Sequence, residues 1–194
     1  MTRLYLIRHG ETDWNVEGRW QGQANVPLNA RGRAQAARLA QALKDVPFDA
    51  VYSSDLARAR ETAEALARLK GLPVHEDPRL REIHQGEWQG MLVTEIQARY
   101  AERFERRKSD PLRVAPPGGE TVAKVRERVV RALEEILAKH PGGTVAVVSH
   151  GFALAVALAH FRHRPIEEVW GMIPENGEWQ VLDVEPEMNG EKQR

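Results

Sequence analysis

Two apolar runs in this chain end in the same kind of chemistry. Residues 4–10 read LYLIRHG and residues 145–151 read VAVVSHG, so Ile7 runs into Arg8-His9-Gly10 and Val148 into Ser149-His150-Gly151. A third run, FDAVYSS at 48–54, passes through Asp55 into a segment carrying Arg58. If the three are neighbouring strands, two imidazoles and two guanidiniums meet beyond their carboxyl ends, where open α/β sheets bind ligands. Each guanidinium is a planar, permanently charged fork that matches phosphate oxygens. A phosphoryl group in transfer spreads charge over three equatorial oxygens, with attacking and leaving atoms in line. A neutral imidazole can be the attacking atom, and flanking arginines disfavour its protonated form. A glycine after each histidine would let a ligand approach the backbone and would leave an N–H for an anion. The chemistry also needs an acid for the departing oxygen, which then serves as base toward water. The candidate is Glu82, in LREIHQGEWQG.

Simpler readings compete with each residue. A single histidine at a strand end is commonly structural. Arg58 could be a helix cation paired with Glu61 or Glu64, and Glu82 a surface carboxylate paired with Arg81.

The elements that would position these residues follow from hydrophobic periodicity. Residues 3–7, 48–54 and 144–149 read as buried strands, 73–78 as a short strand, and 178–185 as an alternating strand suited to a sheet edge. Residues 29–44 form a helix with Asn29 as N-cap, and residues 55–70 a helix with Gly71 in the position that favours glycine. Residues 122–139 set Val122, Val125, Val129, Leu133, Ile136 and Leu137 on one face. Residues 152–161 form an apolar helix. The alternation predicts an α/β fold: a three-layer α/β/α sandwich around a mostly parallel sheet. Residues 84–120 interrupt it and read as a short helical lid above the sheet, within a single domain spanning 1–185. Residues 186–194 read as a flexible tail.

Composition narrows the function classes. The 194 residues are 42% hydrophobic and 29% charged, with formal net charge zero and no cysteine. That balance gives no reason to expect nucleic acid or a membrane surface as partner, and it excludes disulfides, thiolate zinc sites and a cysteine nucleophile. No secretory signal is visible, so a cytoplasmic location is expected. His160 and His163 stand at i,i+3, but no carboxylate matches their spacing, so no metal is expected. No cofactor is called for, because the arginines supply the positive charge a metal would bring. The lid run from Arg99 to Arg113 holds Arg99, Arg103, Arg106, Arg107, Lys108 and Arg113 against Glu102, Glu105 and Asp110, a net +3. It could bind an acidic substrate, but a solvated helix face is the simpler reading.

The motifs together resemble the histidine phosphatase superfamily, in its phosphoglycerate-mutase-like branch. LIRHGET, the Asn15 of DWN, QG at 21–22, PLNARGRAQA, SSDLARARETA, LREIHQGEWQG, PPGGET and VVSHG follow in the family's order over residues 2 to 184. The resemblance implies that His9 is the nucleophile that becomes phosphohistidine and that Glu82 is the proton donor. It also implies that Arg8, Arg58 and His150 clamp the phosphoryl oxygens, with Asn15 and the Gly151 N–H nearby, and that Gln21 and Gly22 lie on the substrate side. Two departures stand out: Asn25 where the family commonly has aspartate, and His84-Gln85 after the acid, where an acidic or small residue and then an aromatic are usual.

The resemblance implies a metal-independent phosphomonoester hydrolase acting on a small phosphorylated metabolite. The alternatives are a cofactor-dependent phosphoglycerate mutase and a non-catalytic phospholigand-binding module. The family's mutases carry a longer insertion after the glutamate and a longer tail, whereas here about 37 residues separate Glu82 from Glu120. That favours hydrolysis. Monomer and homodimer both fit.

Overall fold

The computed structural model describes residues 1–185; residues 186–194, expected to form a tail, lie outside the described residues. Five strands make one sheet: β1 (Thr2–Arg8), β2 (Ala50–Ser53), β3 (Val74–Glu76), β4 (Thr144–Ser149) and β5 (Trp179–Val184), in the order β3-β2-β4-β1-β5. All neighbours are parallel except β1 and β5. The alternating run at the C-terminal end is thus the antiparallel edge, and the near-continuous apolar runs occupy the centre, where both faces are covered.

Successive residues of β1 and β4 face opposite cores. Leu4, Leu6, Val145 and Val147 pack with α5 (Val122–Lys139) and α6 (Gly151–Phe161) on one side. Ile7, Val51, Ala146 and Val148 pack with α2 (Ala30–Ala42) and α3 (Ala57–Lys70) on the other. The expected three-layer sandwich is what forms. Asn29 caps α2 by accepting the Gly32 N–H at 2.8 Å, and Gly71 ends α3 at φ 66°, as the sequence indicates. The helix expected from residue 55 starts two residues later, because Asp55 turns aside to pair with Arg81.

The order of the strands makes the site. From β1 the chain skips a place to β2, continues outward to β3, and returns to fill the gap with β4. Arg8 pairs in register with Ser149, and Ser53 with Val148. Three strands therefore end level, at the point where the winding reverses. A short helix, α1 (Asp13–Glu17), follows β1. Residues 84–120 lie beside this end and contain one long helix, α4 (Val93–Ser109), broken at Tyr100, whose φ and ψ are −131° and 33°. Among the described residues, no helix is long and apolar enough to cross a membrane.

Candidate active site

At the carboxyl ends of β1, β2 and β4 lies a cavity of about 260 Å³. Arg8, His9, Arg58 and Glu82 line it, and so do Asn15, Gln21, Gly22 and Gly151. His150 is brought to the same place but not to the surface of the cavity. It is 0% exposed and packs edge-on against the His9 ring, with centroids 5.1 Å apart.

His9 is held in one tautomer. Its Nδ1 lies 2.6 Å from the Gly10 carbonyl oxygen, which can only accept, so Nδ1 carries the proton. Nε2 is left with its lone pair toward the cavity side, where Arg58 Nε donates to it at 3.3 Å. Burial holds the imidazole well below the ordinary histidine range, and the nearby Arg58 and Arg8 charges push it the same way. His150 is lowered well below that range too, first by burial and then by Arg58 and His9. Its Nε2 meets Ser54 Oγ at 2.8 Å, and its Nδ1 is buried without a partner.

Arg58 is 1% exposed, and it pairs with neither Glu61 nor Glu64. Its Nη1 and Nη2 donate to the Ala24 and Gly22 carbonyls at 2.7 Å, and burial lowers it to about 10. Arg8 Nη1 donates to the Pro174 carbonyl at 2.6 Å, while its Nε is buried and unpaired, a donor in reserve. Glu82 does not pair with Arg81, whose fork holds Asp55 instead. The Glu82 Oε1 accepts the N–H groups of Ile83 at 2.9 Å and Ala153 at 3.0 Å, and Oε2 accepts that of Phe152 at 3.0 Å. The glutamate thus caps α6 from outside, since the preceding His150 makes no side-chain cap.

The two glycines do different work. A Cβ on Gly10 would stand 2.4 Å from the Gly32 carbonyl oxygen, so this glycine admits another segment of backbone. Its N–H donates to Thr62 Oγ1 at 3.0 Å and is not free for an anion, contrary to the sequence reading. On Gly151 a Cβ would stand 3.2 Å from the Arg8 guanidinium, so its absence lets Arg8 lie over the start of α6. Asn15 Oδ1 closes the cap of α1 by accepting from Thr12 at 3.0 Å, which leaves its amide protons for other partners. The Oε1 of Gln21 is buried and unpaired.

Several contributors were not legible in sequence. Arg128 donates to the Arg79, Arg81 and Glu82 carbonyls and to Glu120, whose other role is to accept the His84 N–H; this clamp fixes the loop bearing Glu82. His84, the first of the two residues that depart from the family pattern after the acid, accepts the Gly86 N–H at 3.0 Å with its Nδ1. Asn25 caps α3 by accepting the Ala57 N–H at 2.8 Å. Trp20, Phe152 and Trp170 form apolar wall of the cavity. Arg107, read as part of a solvated face, is 4% exposed. Nothing local distinguishes it from Arg106; only the Trp20 and Trp88 rings it meets in the fold do so. Among the described residues no three His, Asp or Glu side chains gather around a common metal position.

The family model described as histidine phosphatase superfamily (branch 1) matches residues 4–192. The chain belongs to this superfamily. It is 38% identical to phosphoserine phosphatase 1 of Hydrogenobacter thermophilus over 189 residues, covering 97% of this chain and 90% of that protein. It is 32% identical to the adenosylcobalamin/alpha-ribazole phosphatase of Salmonella typhimurium over 182 residues, covering 94% and 90%. Among solved structures, Bacillus stearothermophilus YhfR superposes with a TM-score of 0.87 at 38% identity, over 95% of this chain and 92% of that one. The α/β fold of this chain is thus shared with YhfR over nearly its whole length.

Proposed function

We propose that this chain is a metal-independent phosphomonoester hydrolase that works through a phosphohistidine at His9 on a small phosphorylated metabolite. The observation that carries the reading is the state of His9: neutral, with Nδ1 tied to a carbonyl and Nε2 turned to a buried guanidinium. In this reading the phosphoryl group enters beside Nε2. Arg58 Nε and the unpaired edge of Arg8 move onto its oxygens, joined by His150 Nδ1, Asn15 and the Gly151 N–H. Nε2 attacks phosphorus as the ester P–O bond breaks. Glu82 gives a proton to the leaving oxygen; Oε2, with a single N–H partner, has the lone pair to carry it. Glu82 then takes a proton from water, which attacks the phosphohistidine and regenerates His9 with release of inorganic phosphate.

Residues 1–185 act as one catalytic domain with 84–120 as its lid, and Gln21 and Gly22 face the substrate. Hydrolysis is favoured over transfer to a second hydroxyl because the lid is short and Trp170, on the cavity wall, is 48% exposed, so water reaches the site. The test is phosphate release from a panel of phosphomonoesters in EDTA, with 2-phosphoglycerate formation from 3-phosphoglycerate measured in parallel. Release without metal is expected. Isomerisation with little release would make the protein a mutase.

A further inference from the structure

We propose that Arg107 is a positioning residue that sets the polarity of the cavity wall: it holds Gln85 by its amide oxygen, so that Gln85 meets a bound ester as a hydrogen-bond donor and favours leaving alcohols that carry a carboxylate. The proposal rests on the phosphomonoesterase reading.

Arg107 belongs to α4, in a stretch with a net charge of +3 from Arg99 to Arg113, yet its guanidinium is withdrawn from solvent. Its Cζ lies 5.5 Å from the Trp20 ring centre and 5.4 Å from that of Trp88. Nη1 donates to Gln85 Oε1 at 3.0 Å, while Nε and Nη2 have no hydrogen-bond partner. A guanidinium facing two rings gains cation–π attraction but forgoes hydration, and burial lowers this one to about 10. The side chain has therefore one polar engagement, the Gln85 oxygen.

That engagement decides which way the amide turns. Arginine has donors and no acceptor, so Gln85 must offer it Oε1 and keep Nε2 for the other side. Among the described residues no acceptor takes the Nε2 protons. Gln85 lines the catalytic cavity next to Glu82 and Ile83, and so does Trp20, the ring under Arg107. One buried cation of the lid thus touches two parts of the wall. Arg8, Arg19 and Arg58 also line the cavity, against Glu82 as its single carboxylate. A donor at Gln85 adds to a field that already favours negative charge on the leaving group.

The test compares phosphoglycolate with ethyl phosphate, two-carbon esters that differ in the carboxylate, by the ratio of their kcat/KM values in EDTA. Gln85→Glu keeps the hold of Arg107, as an ion pair, but presents acceptors in place of the donor. It should lower the phosphoglycolate-to-ethyl phosphate ratio at least about tenfold, mainly through the KM of phosphoglycolate. Arg107→Met keeps the apolar length between the two rings and frees the amide to turn. It should lower the same ratio about threefold or more. An unchanged ratio in Gln85→Glu, whatever happens to the absolute rates, would overturn the proposal and leave Arg107 as a lid anchor. A fall of the ratio in Gln85→Glu but not in Arg107→Met would overturn the positioning role. If the wild type hydrolyses neither ester nor any other of the panel, the hydrolase reading fails, and this proposal with it.

Discussion

Replacing Glu82 by alanine and by glutamine separates the cap that its carboxylate provides from the acid role proposed for it. Its oxygens accept three N–H groups, two of them in the first turn of α6. Alanine leaves these donors to water or to nothing. Loss of a helix cap costs about 1–2 kcal/mol, and loss of the negative charge at the helix N-terminus about 0.3–1 kcal/mol more. Together these give about 1–3 kcal/mol, a fall in Tm of about 3–12 °C for a chain of this size. Glutamine keeps one accepting oxygen but turns an NH2 toward at least one of the three N–H groups, so about 1 kcal/mol is lost, or about 2–4 °C. Neither variant can protonate the leaving oxygen. With alkyl phosphates, whose alcohols leave poorly, kcat/KM should fall about 10²–10⁴-fold in both. With p-nitrophenyl phosphate, whose phenolate leaves unaided, the fall of kcat/KM in the glutamine variant should stay within about tenfold, because kcat/KM excludes the hydrolysis of the phosphohistidine in which Glu82 acts as base. The assays are thermal unfolding and kcat/KM on the two esters. Equal slowing of both esters by Glu82→Gln would refute the acid role, and an unchanged Tm in Glu82→Ala would refute the cap.

His9→Ala should reduce turnover below about a hundredth of wild type while inorganic phosphate still binds, measured by stopped assay and calorimetry; residual turnover above that would remove His9 as nucleophile. Gly10→Ala places a Cβ 2.4 Å from the Gly32 carbonyl oxygen, a clash with backbone, and should cost about 3 kcal/mol or more in urea unfolding. The two buried histidines also predict a pH dependence. Both are held well below 6.5 in the fold, so below about pH 6.5 the unfolded chain binds protons that the folded chain does not. Stability should therefore be full above that pH and fall as pH drops toward 5, by up to about 1.4 kcal/mol per unit for each histidine. His9→Asn should remove about half of that slope in urea titrations between pH 5 and 8; an unchanged slope would contradict it. Because His9 stays neutral, the acid limb of kcat/KM should follow the second ionisation of the phosphate ester near about pH 6, and replacing the ester by one with a lower second ionisation should move the limb with it.

The elements were largely legible because each rests on a local signal. Apolar runs of strand length, the Asn29 cap, the Gly71 terminus and the one-sided face of α5 all act over a few residues, and the structure repeats them with ends shifted by a residue or two. The loop chemistry was less legible. Gly10 looked like a ligand-approach glycine and proved to admit the Gly32 backbone, a contact between segments about twenty residues apart that no local pattern announces. Asn25 stood out only as a departure from a family pattern, and its cap on α3 joins segments about thirty residues apart.

By itself the sequence determined the fold class and which groups are candidates to react, because a strand ending in Arg-His-Gly carries its chemistry in residue types and their order. What tertiary structure alone decided is the condition in which those groups are held. The neutrality of His9 depends on its burial and on Arg58, which donates to its Nε2 from a helix forty-nine residues further along the chain. Glu82 is tied to α6, seventy residues away, by backbone N–H groups that every residue except proline possesses. Arg107 differs from its charged neighbours only in the two rings it falls between. Charge state, burial and hydrogen-bond partnership belong to pairs of residues, and distant pairs exist only once the chain has folded.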